Sequence, residues 1–309
     1  MRVLITGAAG GLGRALAVEC ARRGYGLFLT DQNAHALSQI REGLCRQFGA
    51  EVTAIPCDLT DSAGVDAMLD QIDRAQMQFD MLLNVAGLDY EGAFLGCQRE
   101  NIVQIVALND AATLRITHAV LQRRSPGRRF FLVFVSSLAS LFPMPLKATY
   151  AASKRFLLDF ATALRQELKE QNAAVLVVCP GGMATNEAVC NAIYAQGIWG
   201  SLTANPLEVV ARRTLDRVLA GKSRYVPGVL NRFLIIVGRF LPRRCIAPWF
   251  TGVGVKPSKN GCPLPQVDSQ RRLAFSALPF GFAGAGAGGG GWAPPTPPAG
   301  PRPRRAAAA

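Results

Sequence analysis

The chain has 309 residues, half of them hydrophobic, with 34 Lys and Arg against 21 Asp and Glu. That length supports one sizeable domain with a large core, and apolar runs such as Phe130 to Val135 and Phe233 to Val237 fall far short of the ~20 residues a membrane-crossing helix needs. The charge is uneven: residues 1–221 carry 21 basic and 20 acidic side chains, a net of +1, whereas residues 222–309 carry 13 and 1, a net of +12. The basic excess therefore belongs to the carboxyl end and does not make the body a nucleic-acid binder. Met1 leads almost at once into an apolar run with no secretory segment. Eight scattered cysteines form no Cys-x-x-Cys pair and no metal-ligand grouping with His35 or His118. A cytoplasmic protein with reduced thiols and no metal chemistry is expected.

In chain order, Val3 to Ile5 reads as a buried strand, followed by the glycine-rich turn Thr6-Gly7-Ala8-Ala9-Gly10-Gly11-Leu12-Gly13 and a helix with apolar positions Leu12, Leu16, Ala17 and Cys20. Glycines permit the tight turn and let the backbone approach a pyrophosphate, whose charge then meets the positive end of the helix. The next strand ends at Asp31, at a suitable distance for its carboxylate to take the hydroxyls of an adenosine ribose. Further strand-like runs near 51–57, 80–84, 129–136 and 174–179 alternate with helix-like segments near 34–47, 61–77, 98–123 and 149–171. This alternation predicts an α/β fold, a three-layer doubly wound parallel sheet with right-handed crossovers, in one domain. Ligands of such sheets bind outside the carboxyl ends of the strands. Gly13, Asp31, Asp58, Asn84, Ser137 and Thr185 all fall at or just past such ends.

Tyr150 and Lys154 stand four residues apart in Tyr150-Ala151-Ala152-Ser153-Lys154, which puts them on one face of a helix. A free phenol has a pKa of about 10, and a neighbouring ammonium favours the phenolate and draws that value down. Such a pair can pass a proton to or from a carbonyl oxygen.

Thr6-Gly7-x-x-x-Gly11-x-Gly13 together with Tyr150-x-x-x-Lys154 resembles the short-chain dehydrogenase/reductases, and the likeness runs from about Arg2 to Pro242. Cys57-Asp58-Leu59-Thr60 looks like the family's adenine-binding acidic element. Asn84-Val85-Ala86-Gly87 is similar to its Asn-Asn-Ala-Gly, with valine in second place. Pro180-Gly181-Gly182-Met183-Ala184-Thr185 resembles its Pro-Gly-x-x-x-Thr, whose threonine holds the nicotinamide carboxamide. The resemblance implies a Rossmann fold and an NAD(P)(H)-dependent oxidoreductase interconverting an alcohol and a ketone or aldehyde. It implies Tyr150 as acid and base, Lys154 lowering the phenol's pKa and holding the nicotinamide ribose, Ser137 steadying the carbonyl oxygen, and Asn109 holding a water in the proton path. It implies cofactor contacts from Gly7, Gly11, Leu12, Gly13, Asp31, Asp58, Leu59, Asn84, Ala86, Gly87, Tyr150, Lys154, Pro180, Gly181 and Thr185. Ser136 is a rival to Ser137, but the interval of 13 positions to Tyr150 favours Ser137. Family members commonly form dimers or tetramers, so a homodimer or homotetramer is expected.

Charge decides the expected cofactor. A 2′-phosphate is repelled by a carboxylate such as Asp31 and needs a cation, and the loop offers Ala8, Ala9 and Gly10 instead, so NAD(H) is favoured over NADP(H). Leu138, Leu141, Phe142, Met144, Pro145 and Leu146 lie where the family lines its substrate cleft, and Ile193, Tyr194, Ile198 and Trp199 fall in the part that resembles its substrate-covering region, so the resemblance implies an apolar substrate: lipid-derived, steroid-like or aromatic.

Pro206 opens an expected helix to Ala220. Val229 to Leu241 is apolar with arginines at its edges, and reads as a helix packed on the body or a sister subunit, closing the substrate mouth, or touching a membrane interface. Residues 243–258 form a carboxyl-terminal extension. Residues 259–309, rich in Gly, Ala, Pro and Arg, are expected to be disordered. Two other functions remain open: a catalytically inactive dinucleotide-sensing regulator, against which the presence of Ser137, Asn109, Tyr150 and Lys154 argues, and a lipid-surface binder using the basic end. A chain ending at Asn260 is expected to keep full turnover in a dinucleotide absorbance assay, and loss of turnover would give the tail a catalytic role.

Overall fold

Residues 1–183 and 205–233 are described by a computed structural model. The alternating apolar runs form strands β1 (Arg2–Thr6), β2 (Gly26–Asp31), β3 (Val52–Pro56), β4 (Met81–Asn84), β5 (Phe130–Val135), β6 (Ala173–Val178) and β7 (Arg224–Tyr225). The sheet order is β3-β2-β1-β4-β5-β6-β7, and every pairing is parallel. The expected doubly wound sheet is therefore present. The two-residue strand β7 was not foreseen, because so short a run carries no periodicity.

Helices α1 (Gly11–Arg22), α2 (Ala34–Phe48) and α3 (Ser62–Arg74) follow the first three strands. Asn33 caps α2 by accepting from the Ala36 N–H, and Asp61 caps α3 by accepting from Ala63 and Gly64. The segment expected as one helix over 98–123 runs as α4 (Arg99–Val106), a π-helical turn (Ala107–Ala112) and α5 (Thr113–Leu121). Helix α6 (Ala148–Glu167) carries Tyr150 and Lys154, and α7 (Leu207–Leu219) begins after Pro206.

Side-chain alternation along each strand divides the core between the two sheet faces. Val3 and Ile5 pack with Leu12, Leu16, Leu37 and Leu215, whereas Leu4 packs with Val65, Ile72, Ile116 and Leu158. Helices α1, α2 and α7 thus cover one face, and α3, α5 and α6 the other, giving three layers. The chain leaves β1 towards β3, then returns to place β4 on the other side of β1, so the strand order reverses there. Thr6 ties this switch point together: its Oγ1 accepts the N–H groups of Val85 and Ala86, 3.1 and 3.3 Å away.

The expected limit of the domain at residue 242, the extension 243–258 and the tail 259–309 lie outside the described residues, as does most of the segment 229–241. No helix among the described residues is long and apolar enough to cross a membrane. Phe134 on β5 is fully buried with its ring edge against Phe160 at 5.6 Å. Phe134→Ala is expected to cost about 3–5 kcal/mol in urea denaturation, and a loss under 1 kcal/mol would contradict this packing.

Candidate active site

The glycine loop lies at the switch point and is shaped by close backbone packing. Gly7 adopts φ +65, and a Cβ there would stand 2.7 Å from Ala86 Cα. A Cβ on Gly13 would stand 2.1 Å from the Gly7 carbonyl oxygen, so only glycine lets α1 begin so close to β1. Leu12 is buried beneath the loop. Asp31 ends β2 and braces the loop: its Oδ2 accepts the Ala9 N–H at 2.9 Å and its Oδ1 the Asn33 N–H at 3.0 Å.

These residues fit a dinucleotide. Gly10 at the N-cap gives α1 no side-chain cap, and the first turn holds no acidic side chain, so its leading N–H groups are left for an anion. Gly7, Gly11, Leu12 and Gly13 would hold the pyrophosphate and Asp31 the adenosine ribose. Asp58 is exposed, and its Oδ1 accepts from the Thr60 N–H and hydroxyl at 2.9 and 2.7 Å; Leu59 beside it is buried. Asn84 is buried and donates through Nδ2 to Thr117 Oγ1 at 3.0 Å, so its side chain fastens β4 to α5. Pro180 follows β6, and its carbonyl accepts the Leu138 N–H at 2.7 Å, which ties this loop with Gly181 to the Ser137 segment. Thr185 and the expected substrate-covering residues Ile193, Tyr194, Ile198 and Trp199 lie outside the described residues.

Ser137, Tyr150, Lys154 and Asn109 are brought together. Lys154 Nζ lies 5.8 Å from the centre of the Tyr150 ring, and the Ser137 side chain hydrogen-bonds to the phenol. The Ser137 hydroxyl also accepts the Ala139 N–H at 3.1 Å, which orients it. Ser136, the rival, donates instead to the Lys154 backbone carbonyl at 2.7 Å and is buried, a structural role. Lys154 is 4 % exposed and donates to the Val135 carbonyl at 3.1 Å.

Asn109 is fully buried in the π turn. Its Oδ1 accepts the Leu88 N–H at 2.8 Å, and its Nδ2 donates to the Leu88 carbonyl and to Ser153 Oγ, both at 3.0 Å. Ser153 Oγ in turn donates to the Tyr150 carbonyl at 2.9 Å. The Asn109 side chain, expected to serve a water, is thus committed at each polar atom to fixing the loop after β4 against α6. Gly87 sits between the two helices: a Cβ there would stand 3.0 Å from both Asn109 Oδ1 and Lys154 Nζ.

The electrostatics depart from expectation at one point. The Tyr150 phenol is pushed up from its ordinary value by burial and then by the Asp89 carboxylate, while the Ser137 hydrogen bond draws it down. The lowering expected from Lys154 does not govern the phenol here. Burial pushes Lys154 itself down to about 8, opposed by Asp89 and Asp110. A phenol held protonated beside a buried ammonium is a proton donor near neutral pH.

Sequence reasoning missed a second cation at the site. Lys147 Nζ lies 5.5 Å from the Tyr150 ring centre and is gripped by Asp89 at 2.6 Å and Glu91 at 3.2 Å. Burial pulls its pKa down, but the two carboxylates more than offset this and hold it above the ordinary value. The grip joins the loop after β4 to the start of α6, assisted by the Gly92 N–H donating to the Leu146 carbonyl at 2.7 Å. Only the nearness of Lys147 to Tyr150 in sequence could have signalled it.

Beside Tyr150 opens an apolar cavity of about 110 Å³ lined by Tyr90, Phe94, Ile102, Ile105 and Leu146. Of the expected cleft residues, Leu141, Phe142, Met144 and Pro145 line a different hollow of about 410 Å³ that Tyr150 does not reach. Among the described residues the cysteines are free and no group of His, Cys, Asp or Glu could hold a metal ion. Gly87→Ala should force Lys154 and Asn109 apart and lower dinucleotide-dependent turnover about 10²-fold with the far-ultraviolet circular dichroism unchanged; unaltered turnover would contradict the packing described.

A family model described as short chain dehydrogenase matches residues 1–190. The chain is 32% identical over 204 residues to Dehydrogenase/reductase SDR family member 7B of Bos taurus, covering 63% of this chain and 61% of that protein. It is 30% identical over 186 residues to the Very-long-chain 3-oxoacyl-CoA reductase of Coccidioides immitis, covering 57% and 51%. The chain thus spans between half and two thirds of the length of these curated relatives. A short-chain dehydrogenase from Sphingobium yanoikuyae, solved in complex with NADPH, superposes with a TM-score of 0.64 at 25% identity over 79% of this chain and 94% of that one. With its fold, glycine loop and Tyr-Lys pair, the chain belongs to the short chain dehydrogenase family.

Proposed function

We propose that this protein is an NAD(P)(H)-dependent oxidoreductase that interconverts an apolar alcohol and its ketone or aldehyde. The observation that carries the reading is the convergence of Ser137, Tyr150 and Lys154 beside the glycine loop, with an apolar cavity opening at the phenol. A bound nicotinamide supplies or takes up the hydride. In the reductive direction Tyr150 gives its proton to the substrate oxygen, and Ser137 donates a hydrogen bond that steadies the charge developing there. Lys154 holds the nicotinamide ribose and supplies positive charge behind the phenol as the proton leaves. Asn109 keeps the loop after β4 and helix α6 in register, so that this geometry holds.

NAD(H) is the favoured cofactor. Asp31 accepts two backbone N–H groups that hold its side chain against the glycine loop, which supports a preference against a 2′-phosphate, and Arg14 is exposed on α1 just past the loop. NADH is expected to bind roughly tenfold tighter than NADPH in a fluorescence titration, and the reverse order would overturn this preference. The substrate reading rests on Tyr90, Phe94, Ile102, Ile105 and Leu146 around the phenol, and a lipid-derived ketone accords with the 3-oxoacyl-CoA chemistry named for one relative. A second copy of the chain is the expected partner, with exposed Val103 and Val106 on α4 and Phe156 on α6 offering an apolar face.

Following NADH absorbance against a panel of hydrophobic ketones and alcohols, Tyr150→Phe should cut turnover about 10²–10⁴-fold and leave NADH binding intact. Preserved turnover would refute the assignment, and binding without turnover on every substrate would favour the sensing regulator. Because the phenol is held protonated, reduction should be undiminished at neutral pH, whereas alcohol oxidation, which needs the proton gone, should rise steadily with pH. Oxidation that peaks at neutral pH would contradict the upward shift.

A further inference from the structure

Two stretches of chain wall the cavity beside the phenol, Tyr90 to Cys97 in the loop after β4 and Leu146 to Tyr150 at the start of α6, and Ile102 and Ile105 of α4 complete the lining. Lys147 is the one charged side chain in that lining among the described residues, and the loop engages it fully. Its Nζ lies 2.6 Å from Asp89 Oδ2 and 3.2 Å from Glu91 Oε2. An ion pair on an open surface contributes little. Here the Lys147 side chain is only 21% exposed, and two carboxylates of one loop share it. The Gly92 N–H adds a bond to the Leu146 carbonyl at 2.7 Å, so the two walls are joined at Asp89, Glu91 and Gly92.

The backbone at this junction is strained. Leu146 stands third in a turn closed by the Lys147 N–H on the Met144 carbonyl at 3.2 Å, and it adopts φ +65. Glycine or asparagine is usual at such a position, and a bulky side chain there is an outlier. Strain of this kind persists only where the surroundings over-determine it, and it gathers at functional sites. Here it sets the Leu146 side chain in the cavity wall and its carbonyl against Gly92. A cavity of roughly 150 Å³ holds one benzene molecule. At about 110 Å³ this cavity falls short of an aromatic ring and suits a short alkyl branch.

We propose that Lys147 is a specificity-determining residue: by clasping Asp89 and Glu91 it holds the loop after β4 as one wall of the cavity and limits one side of the reacting ketone to a short alkyl group. This deepens the function proposed above and rests on its reading of Tyr150 as the proton donor. The larger side of the substrate then lies outside the cavity, so a methyl ketone carrying a ring or a long chain is the class that fits. Lys147 Nζ also stands 5.5 Å from the centre of the Tyr150 ring, which ties the wall to the phenol. Asn109 pins the same loop at Leu88 and leaves the stretch beyond to Lys147 and the Gly92 hydrogen bond. Loss of the clasp therefore loosens the wall without unfolding the domain.

Hydrogen exchange followed by mass spectrometry on the full-length protein reads the wall without any ligand. In Lys147→Met, peptides spanning residues 88–97 should exchange about tenfold faster, those of β4 and α5 should match the parent, and Lys147→Arg should restore protection. Reduction of acetophenone and benzophenone with NADH reads the size limit, because only acetophenone has a short alkyl side. The parent should favour acetophenone. Lys147→Met should raise the ratio of kcat/KM for benzophenone over acetophenone about tenfold, and Lys147→Arg should return it to within about twofold of the parent. Unmoved loop exchange, an unmoved ratio, a ratio that Lys147→Arg fails to restore, or a parent that takes both ketones alike overturns the proposal. A parent that reduces no ketone at all defeats the oxidoreductase reading instead, and loop exchange then decides the clasp alone.

Discussion

The ammonium of Lys154 is almost wholly removed from water, and the site is organised around that fact. Burying an unpaired charge costs several kcal/mol even after relaxation. Here the cost is offset by the Val135 carbonyl at the end of β5 and by the fields of Asp89 and Asp110. Gly87 leaves the space that the ammonium needs. These groups come from β5, the loop after β4 and the π turn, so the charge is held where those elements meet α6. The sheet order brings those elements to one end of the molecule.

Around that centre, much of the polar bonding serves to lock loops rather than to contact a ligand. Thr6 joins the ends of β1 and β4, Asp31 braces the glycine loop, Pro180 holds the Ser137 segment, and Asn109 joins the loop after β4 to α6. Backbone fixed in this way does not have to be ordered when a ligand arrives, which is how a scaffold pre-organises charge for catalysis. The phenol of Tyr150 then stands at the edge of an apolar cavity, protonated and hydrogen-bonded to Ser137. Apolar walls keep water from competing for that proton and strengthen each remaining electrostatic contact.

What could be read from sequence was whatever is local. The turn from β1 into α1 announces itself through Gly7, Gly11 and Gly13, and Tyr150 with Lys154 through helical spacing. Strands buried on both faces read as apolar runs, so the sheet followed from their alternation with amphipathic helices. The π turn was not legible, because Ala-Leu-Asn-Asp-Ala-Ala is compatible with an ordinary helix and its widening depends on packing against α6. Nor was the grip of Lys147 by Asp89, whose partners are 58 residues apart and meet only through the fold. The direction of the Tyr150 shift was misjudged for a related reason: spacing places a cation near the phenol, but burial and the Asp89 carboxylate decide the outcome. Likewise Leu141, Phe142, Met144 and Pro145 were read as cleft residues from their place before Tyr150, yet they line a separate hollow.

The central claim is that these side chains converge on the reactive end of a bound dinucleotide. A crystal structure of the protein grown with NADH tests it most directly. The account requires the pyrophosphate against the loop of Gly11 to Gly13, the nicotinamide ribose within hydrogen-bonding distance of Lys154 Nζ, and the Tyr150 and Ser137 hydroxyls turned to one open position beside the ring. A dinucleotide bound elsewhere, or a Tyr150 hydroxyl turned away from the nicotinamide, would contradict it.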